Sequence, residues 1–189
     1  KKGPYFPKTI KTSNDIKNIS IPDVHDNLSY VFEAIKITKS ELKGKVPLIG
    51  FAGAPWTIFA YMIEGQGSKT FSKAKSFLYR EPELSHQLLG LITETTIAYL
   101  KAQISSGADL VQLFDSWAGI LTHQQYEEFG MKYVHKICHA IHEAPVTVFA
   151  KGAYSALETM KGLNCETIGL DWNMSISDAR TIFQNQKTL

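Results

Sequence analysis

The residues able to do chemistry fall at the carboxyl ends of short apolar runs. Phe51-Ala52-Gly53 closes the run that begins at Val46, and Phe114-Asp115-Ser116-Trp117 closes the run from Ala108. Phe149-Ala150-Lys151 and Leu170-Asp171-Trp172 close two more. If these runs are parallel strands, a carboxylate, a hydroxyl, an amine and several aromatic rings share one rim, where α/β folds build their sites. The repeated phenylalanine either walls an apolar pocket or caps the core, and the spacing leaves both readings open. Asp115-Ser116 invites a hydrolase triad, but no Gly-x-Ser-x-Gly surrounds Ser116 and no histidine stands on another of these loops. A nucleophilic serine therefore has no support. Gly65-Gln66-Gly67-Ser68-Lys69 follows a helical pattern and lacks P-loop spacing, so it reads as a mobile rim loop.

His135, Cys138, His139 and His142 have the spacing of a helical metal site. The apolar face of that helix is set by Tyr126, Phe129, Tyr133 and Ile137. At about 100° per residue the histidines turn away from it, onto a solvated face. No metal ligand set is read from the chain. Tyr61 lies on the helix opened by Pro55, facing the glycine-rich loop. Its phenol can donate to a carboxylate or carbonyl, although spacing alone favours a half-buried ring with its tip in water.

The elements that position these residues follow from periodicity and punctuation. Residues 1–24 carry three of the prolines with Asn and Ser clusters and read as an extended arm and connector. A helical pattern runs from Asp26 to about Lys43, with Leu28, Val31, Ile35 and Ile37 on its stripe and Gly44 as its stop. The first strand is expected at 46–51, then a helix with Pro55 in its first turn. A further helix restarts near Phe71, and a long one runs from Pro82 to Ser105 with Leu84, Leu88, Leu91, Ile92, Thr95 and Tyr99 as its stripe. Strands are expected at 108–114, 145–150 and 167–170. Helices are expected at 123–142, with Thr122 as N-cap, at 155–163 and at 176–185. Thr188-Leu189 would open a fifth strand.

The pattern is βαβαβαβα, four parallel βα units, which is half of a (β/α)8 barrel. One domain, residues 1–189, is expected, with both chain ends reading as interior positions of a larger barrel. A half barrel on its own exposes two unpaired parallel edges, which is unfavourable. The 44% hydrophobic and 20% charged content is that of a soluble globular chain. A net charge of +2 does not argue for nucleic acid, yet does not repel an anionic ligand. No apolar run approaches the roughly 20 residues that span a bilayer. Two cysteines without motif spacing, Cys138 and Cys165, and the absence of a signal-peptide pattern point to a reducing, cytoplasmic setting.

Several motifs in order carry a resemblance. Gly50-Phe51-Ala52-Gly53-Ala54-Pro55-Trp56-Thr57, then Tyr61-Met62-Ile63-Glu64-Gly65 and Ser68-Lys69, resemble the uroporphyrinogen decarboxylases. So do Gln112 to Gly119, Pro145 to Gly152 and Gly169-Leu170-Asp171-Trp172. Gly3-Pro4, Phe6-Pro7, Tyr30-Val31-Phe32 and Val46 to Ile49 fit as well. The resemblance implies a homodimeric (β/α)8 barrel that removes CO2 from the four acetate arms of uroporphyrinogen III, giving coproporphyrinogen III, without cofactor or metal. It implies substrate contacts at Tyr61, Ser116 and the pocket-wall Phe51. The family's pyrrole-binding aspartate and carboxylate-binding arginines would precede Lys1, and its histidine would follow Leu189. No catalytic residue is therefore assigned within the chain. Asp171 sits in a family motif and reads as a rim-loop fastener.

The same residues bear on two other readings. A corrinoid-dependent methyltransferase relative would need His and Cys after the strand ending at Ala150-Lys151, and neither is there. A non-enzymatic half barrel that binds tetrapyrroles would fit the expected open edges. Nucleic acid and membrane partners are not expected.

Overall fold

The sheet begins where proline stops interfering. A computed structural model describes residues 5–189; residues 1–4, which hold the start of the arm and the Gly3-Pro4 motif, lie outside the described residues. The arm is not extended throughout. Thr12 and Asp15 form a capping box, with Thr12 Oγ1 accepting from Asp15 N–H and Asp15 accepting from Thr12 N–H, and this starts the short helix α1 (Ser13–Lys17). The arm is held by backbone bonds from Phe6 N–H to Gly65 O and from Ile10 N–H to Met62 O.

Asp23 caps α2 (Val24–Leu42), and Lys43 and Gly44 end it with positive φ. Its buried residues are Val24 and Phe32, while Ile37 is exposed, so the expected stripe is rotated on the helix. Strand β1 (Ile49–Gly53) starts later than expected. Pro47 has no N–H, and Leu48 gives its own to the Asp109 carboxylate at 2.7 Å. Then come α3 (Pro55–Glu64), with Pro55 at its first position and Gly65 at φ 91 as its stop, and α4 (Ser72–Arg80). Glu64 Oε2 accepts from Lys73 and Ala74 N–H and so caps α4 from outside.

Helix α5 (Pro82–Ser105) leads to β2 (Leu110–Asp115). Its buried residues include Leu88, Leu89, Ile92, Thr96 and Leu100, a broader face than the expected stripe. The breadth follows from packing against α2, α3 and β1 together.

The single helix expected over 123–142 is broken. Thr122 and Gln125 form a capping box for α6 (His123–Tyr126). A wide π-turn, Glu127–Met131, follows, and α7 (Lys132–Ala140) completes the run. The cause is visible at Gly130: a Cβ there would lie 2.3 Å from the Tyr126 ring. The turn makes room for that ring. Strand β3 (Val146–Ala150) leads through a 3₁₀ turn into α8 (Leu157–Met160). Strand β4 (Thr167–Gly169) and α9 (Ile176–Phe183), capped by Ser175, follow. Thr188 makes a parallel bridge to Thr167, where a fifth strand was expected.

All four strands are parallel, in the order β1-β2-β3-β4. Their two faces differ. Ala52, Val111, Leu113, Val146, Val148, Ala150 and Ile168 are buried against the helices and belong to the main core. The register puts Phe51, Gln112, Phe114, Thr147 and Phe149 on the other face. In a closed (β/α)8 barrel that face is the lumen.

The free edge of β1 is plugged by a side chain. Gln103 Oε1 accepts from Phe51 N–H at 2.9 Å, and Gln103 Nε2 donates to Phe51 O at 2.9 Å. The amide thus imitates one residue of a neighbouring strand. Gly50 makes this fit: a Cβ there would lie 2.7 Å from Gln103 Oε1. Gln103→Ala removes two hydrogen bonds in a buried position and should destabilise the fold by about 1–3 kcal/mol, read as a lower urea midpoint at unchanged slope.

Candidate functional site

The four strand ends meet as the parallel order requires. Ala54 N–H donates to Phe114 O, Lys151 N–H to Asp115 O, and Gly119 N–H to Lys151 O. Gly119 and Gly152 come so close that a Cβ on Gly119 would sit 2.8 Å from the Gly152 backbone. Asp171 closes the series: its carboxylate accepts from Gly152 N–H at 2.6 Å and Asn173 N–H at 2.9 Å. This is the geometry of a loop fastener. Lys151, exposed at the end of β3, lies 5.1 Å over the Trp172 ring.

Asp115 is not a loop residue. It ends β2 and is fully buried on the helix-facing side. Both carboxylate oxygens are satisfied, Oδ1 by Thr57 Oγ1–H at 2.6 Å and Oδ2 by Tyr126 O–H at 3.0 Å. Burial pushes the Asp115 carboxyl up to about 6, and the hydroxyl donors of Thr57 and Tyr126 oppose that shift. Burial and the Asp115 charge push the Tyr126 phenol well above its ordinary value. The carboxylate ties α3 and α6 to the end of β2, and Ser116 and Trp117 leave from that fixed point.

Tyr61 is half-buried, and its partner is Trp117, whose indole N–H donates to the phenol oxygen at 2.8 Å. Phe71 packs on both rings, at 5.6 Å from Tyr61 and 4.7 Å from Trp117. Trp117 is pinned further: its carbonyl accepts from Trp56 Nε1–H at 2.9 Å, and its amide donates to Thr57 Oγ1 at 3.3 Å. Ser116 is half-buried between Asp115 and Trp117.

Phe51 does not end its strand, as expected, but stands in its middle, 61% exposed. The cause is that β1 runs on to Gly53, pairing Ala52 and Gly53 with β2. Its ring meets Phe114 edge-on at 5.8 Å, and Phe114 meets Phe149 at 6.0 Å. The predicted contacts therefore occupy two places: Phe51 on an aromatic ridge across the open face, Tyr61 and Ser116 at the rim. Sequence reading missed Thr57, Tyr126 and Trp117 as partners. Trp117, two residues before Gly119, had a local signal in its glycine turn, whereas Thr57 and Tyr126 had none.

His135, His139 and His142 are exposed and point away from the core, as the helical spacing expects. Among the described residues no three His, Cys, Asp or Glu converge as metal ligands. Cys165 precedes β4, at the opposite end of the sheet from the rim. His86 links Tyr133 and Glu128 and stacks on Phe129 at 4.8 Å, joining α5 to α7 in the outer layer. No described helix is long and apolar enough to cross a membrane.

The rim and its motifs have close counterparts. The family described as Uroporphyrinogen decarboxylase (URO-D) matches residues 1–189. The chain belongs to the uroporphyrinogen decarboxylase family. A protein of that name from Christiangramia forsetii is 47% identical over 188 residues, covering 99% of this chain and 55% of its own length. One from Schizosaccharomyces pombe is 46% identical, with 98% and 55% covered. The chain thus spans about half the length of the curated relatives it matches. A solved methyltransferase from Methanosarcina mazei superposes with a TM-score of 0.82 at 18% identity, over 96% of this chain and 53% of that one. That likeness is one of fold. The four parallel βα units are part of a (β/α)8 barrel, as the family implies.

The buried carboxylate gives this member of the family a signed pH dependence. Asp115 holds its proton more tightly when folded than an ordinary aspartate does at 3.8. Its contribution is present in full below that value and is lost as the pH rises through about 6. The loss amounts to about 3 kcal/mol. Urea unfolding at pH 4 and pH 7 should show a larger fall for the parent chain than for Asp115→Asn, whose amide does not titrate there. Equal falls would remove the titration of Asp115 as the cause.

Proposed function

We propose that these residues form the central part of a uroporphyrinogen decarboxylase, an enzyme that removes CO2 from the four acetate side chains of uroporphyrinogen III to give coproporphyrinogen III. The observation that carries the reading is the family match along the whole chain, with its motifs at adjoining strand ends. Protonation of a pyrrole carbon beside an acetate arm makes an iminium-like ring, and that ring accepts the electron pair as CO2 leaves. The macrocycle is its own electron sink, a task that other decarboxylases give to a cofactor. The protein's part is to hold a polyanion, shape the rings and stabilise developing positive charge.

In this reading Phe51, Phe114 and Phe149 supply an apolar wall for the macrocycle. Tyr61 and Ser116 supply hydroxyl contacts at the rim. Lys151 brings a cation to the end of β3 that suits the substrate's carboxylates. The pyrrole-binding aspartate and the arginine pair of the family pattern have no counterpart within the 189 residues. The chemistry therefore requires the rest of the barrel, in a cytoplasmic homodimer. Asp115 does not replace that aspartate, because both its oxygens are engaged on the helix-facing side.

The expected outcome is a division between binding and turnover. The purified 189-residue chain, incubated with uroporphyrinogen, should give no coproporphyrinogen above a no-protein control. It should still quench the fluorescence of uroporphyrin, the stable oxidised form of the substrate. A full-length family protein carrying these residues should convert uroporphyrinogen, and absence of conversion there would overturn the reading.

A further inference from the structure

We propose that Trp117 is a positioning residue that commits the Tyr61 hydroxyl to donate its proton outward, toward a carboxylate of the ligand. The inference rests on the tetrapyrrole reading for the ligand, but its geometry stands on the chain alone.

An indole N–H only donates. At 2.8 Å from the phenol oxygen, Trp117 Nε1–H therefore makes Tyr61 the acceptor in that pair. The phenol's own hydrogen is left for another acceptor. The same logic fixes the groups behind it. Thr57 spends its single hydroxyl hydrogen on Asp115, so its lone pair accepts Trp117 N–H. Trp56 donates to the Trp117 carbonyl, and Trp56 and Phe71 are fully buried. Trp117 is thus held by its amide, its carbonyl and its ring face, and it has one polar atom left, which it spends on Tyr61.

The polarity has a consequence for recognition. A phenol that accepts one hydrogen bond donates a stronger one. A Tyr61 so arranged suits an anionic oxygen and is mismatched to a pyrrole N–H, which also needs an acceptor. Tyr61 therefore reads the carboxylate periphery of a tetrapyrrole rather than its nitrogen centre. Without the indole, the phenol is free to turn, donating to the one or accepting from the other.

Two measurements on the 189-residue chain test this. The first needs no ligand. The Trp117 indole N–H, assigned in ¹⁵N NMR spectra by its absence in Trp117→Phe, should exchange slowly with solvent, and Tyr61→Phe should speed that exchange at least about tenfold. Exchange unchanged by Tyr61→Phe overturns the pairing. The second is a double-mutant cycle in uroporphyrin affinity. Tyr61→Phe and Trp117→Phe should each weaken binding roughly 3- to 10-fold, and the double variant should lose no more than either alone. Trp117→His, which keeps a ring N–H donor, should recover part of the loss, while thermal midpoints confirm that the variants fold. Fully additive losses overturn the proposal. Failure of the parent chain to bind uroporphyrin at all would instead strike the ligand reading, and the exchange measurement alone would then decide the role of Trp117.

Discussion

One buried carboxylate organises the rim. Taking Asp115 out of water is costly, and its raised pKa records that cost. The cost is offset because each oxygen receives a hydroxyl hydrogen at short range. Those hydroxyls come from α3 and α6, two elements well separated along the chain. The carboxylate thus selects one arrangement of β2, α3 and α6. The π-turn after α6 is part of the same device, since it admits the Tyr126 ring over Gly130.

The rim is built outward from that point. Ser116 and Trp117 directly follow Asp115, and Thr57 serves both Asp115 and the Trp117 amide. The Gly119 amide, two residues beyond Trp117, donates to Lys151 and so reaches β3, and Asp171 brings in the β4 loop. Backbone hydrogen bonds and the side chains of Thr57, Asp115 and Asp171 together join the loops of the rim. On the proposed function, such fixed partners are what a site needs when hydrogen-bond polarity, rather than charge, does the recognising. The open face is arranged differently. Phe51, Phe114 and Phe149 form a ridge of edge-to-face contacts with little polar content, suited to a broad apolar ring system.

Much of this was legible in the residues. Pro55 and Gly65 bracket α3, Thr122 caps α6, and Pro82 opens α5, because proline and glycine restrict local dihedrals whatever surrounds them. The parallel order and the gathering of four strand ends followed from alternating βα units. What was not legible depends on partners distant in sequence. The inward turn of Asp115 requires Thr57, the break after Tyr126 requires Asp115, and the late start of β1 requires Asp109. The short helix α1 was legible in principle, since Thr12-x-x-Asp15 is a capping box, but the prolines around it dominate the pattern. The stripe on α5 widened because several neighbours, α2, α3 and β1 among them, cover that helix.

The two sheet edges place the chemistry. Gln103 satisfies Phe51 at the outer edge of β1 and leaves Ile49 and Gly53 to other partners, so this edge is only partly closed. Beside it lies an apolar groove of about 430 Å³ lined by Ile58, Met62, Leu91 and Tyr99 among others. At the far edge, Thr188 already pairs with β4. A barrel completed from both edges would enclose the aromatic ridge while leaving the rim network untouched, because that network is satisfied within residues 54–173. On the proposed function, recognition and electrostatic catalysis are thereby separable in the fold. The described residues present an aromatic ridge and a hydrogen-bonded rim, and in that reading charge stabilisation falls to strands that would close the lumen opposite Phe51, Phe114 and Phe149. A decarboxylation whose substrate is its own electron sink would tolerate that separation, since the protein would have to present two fixed surfaces to one macrocycle rather than assemble a cofactor at their junction.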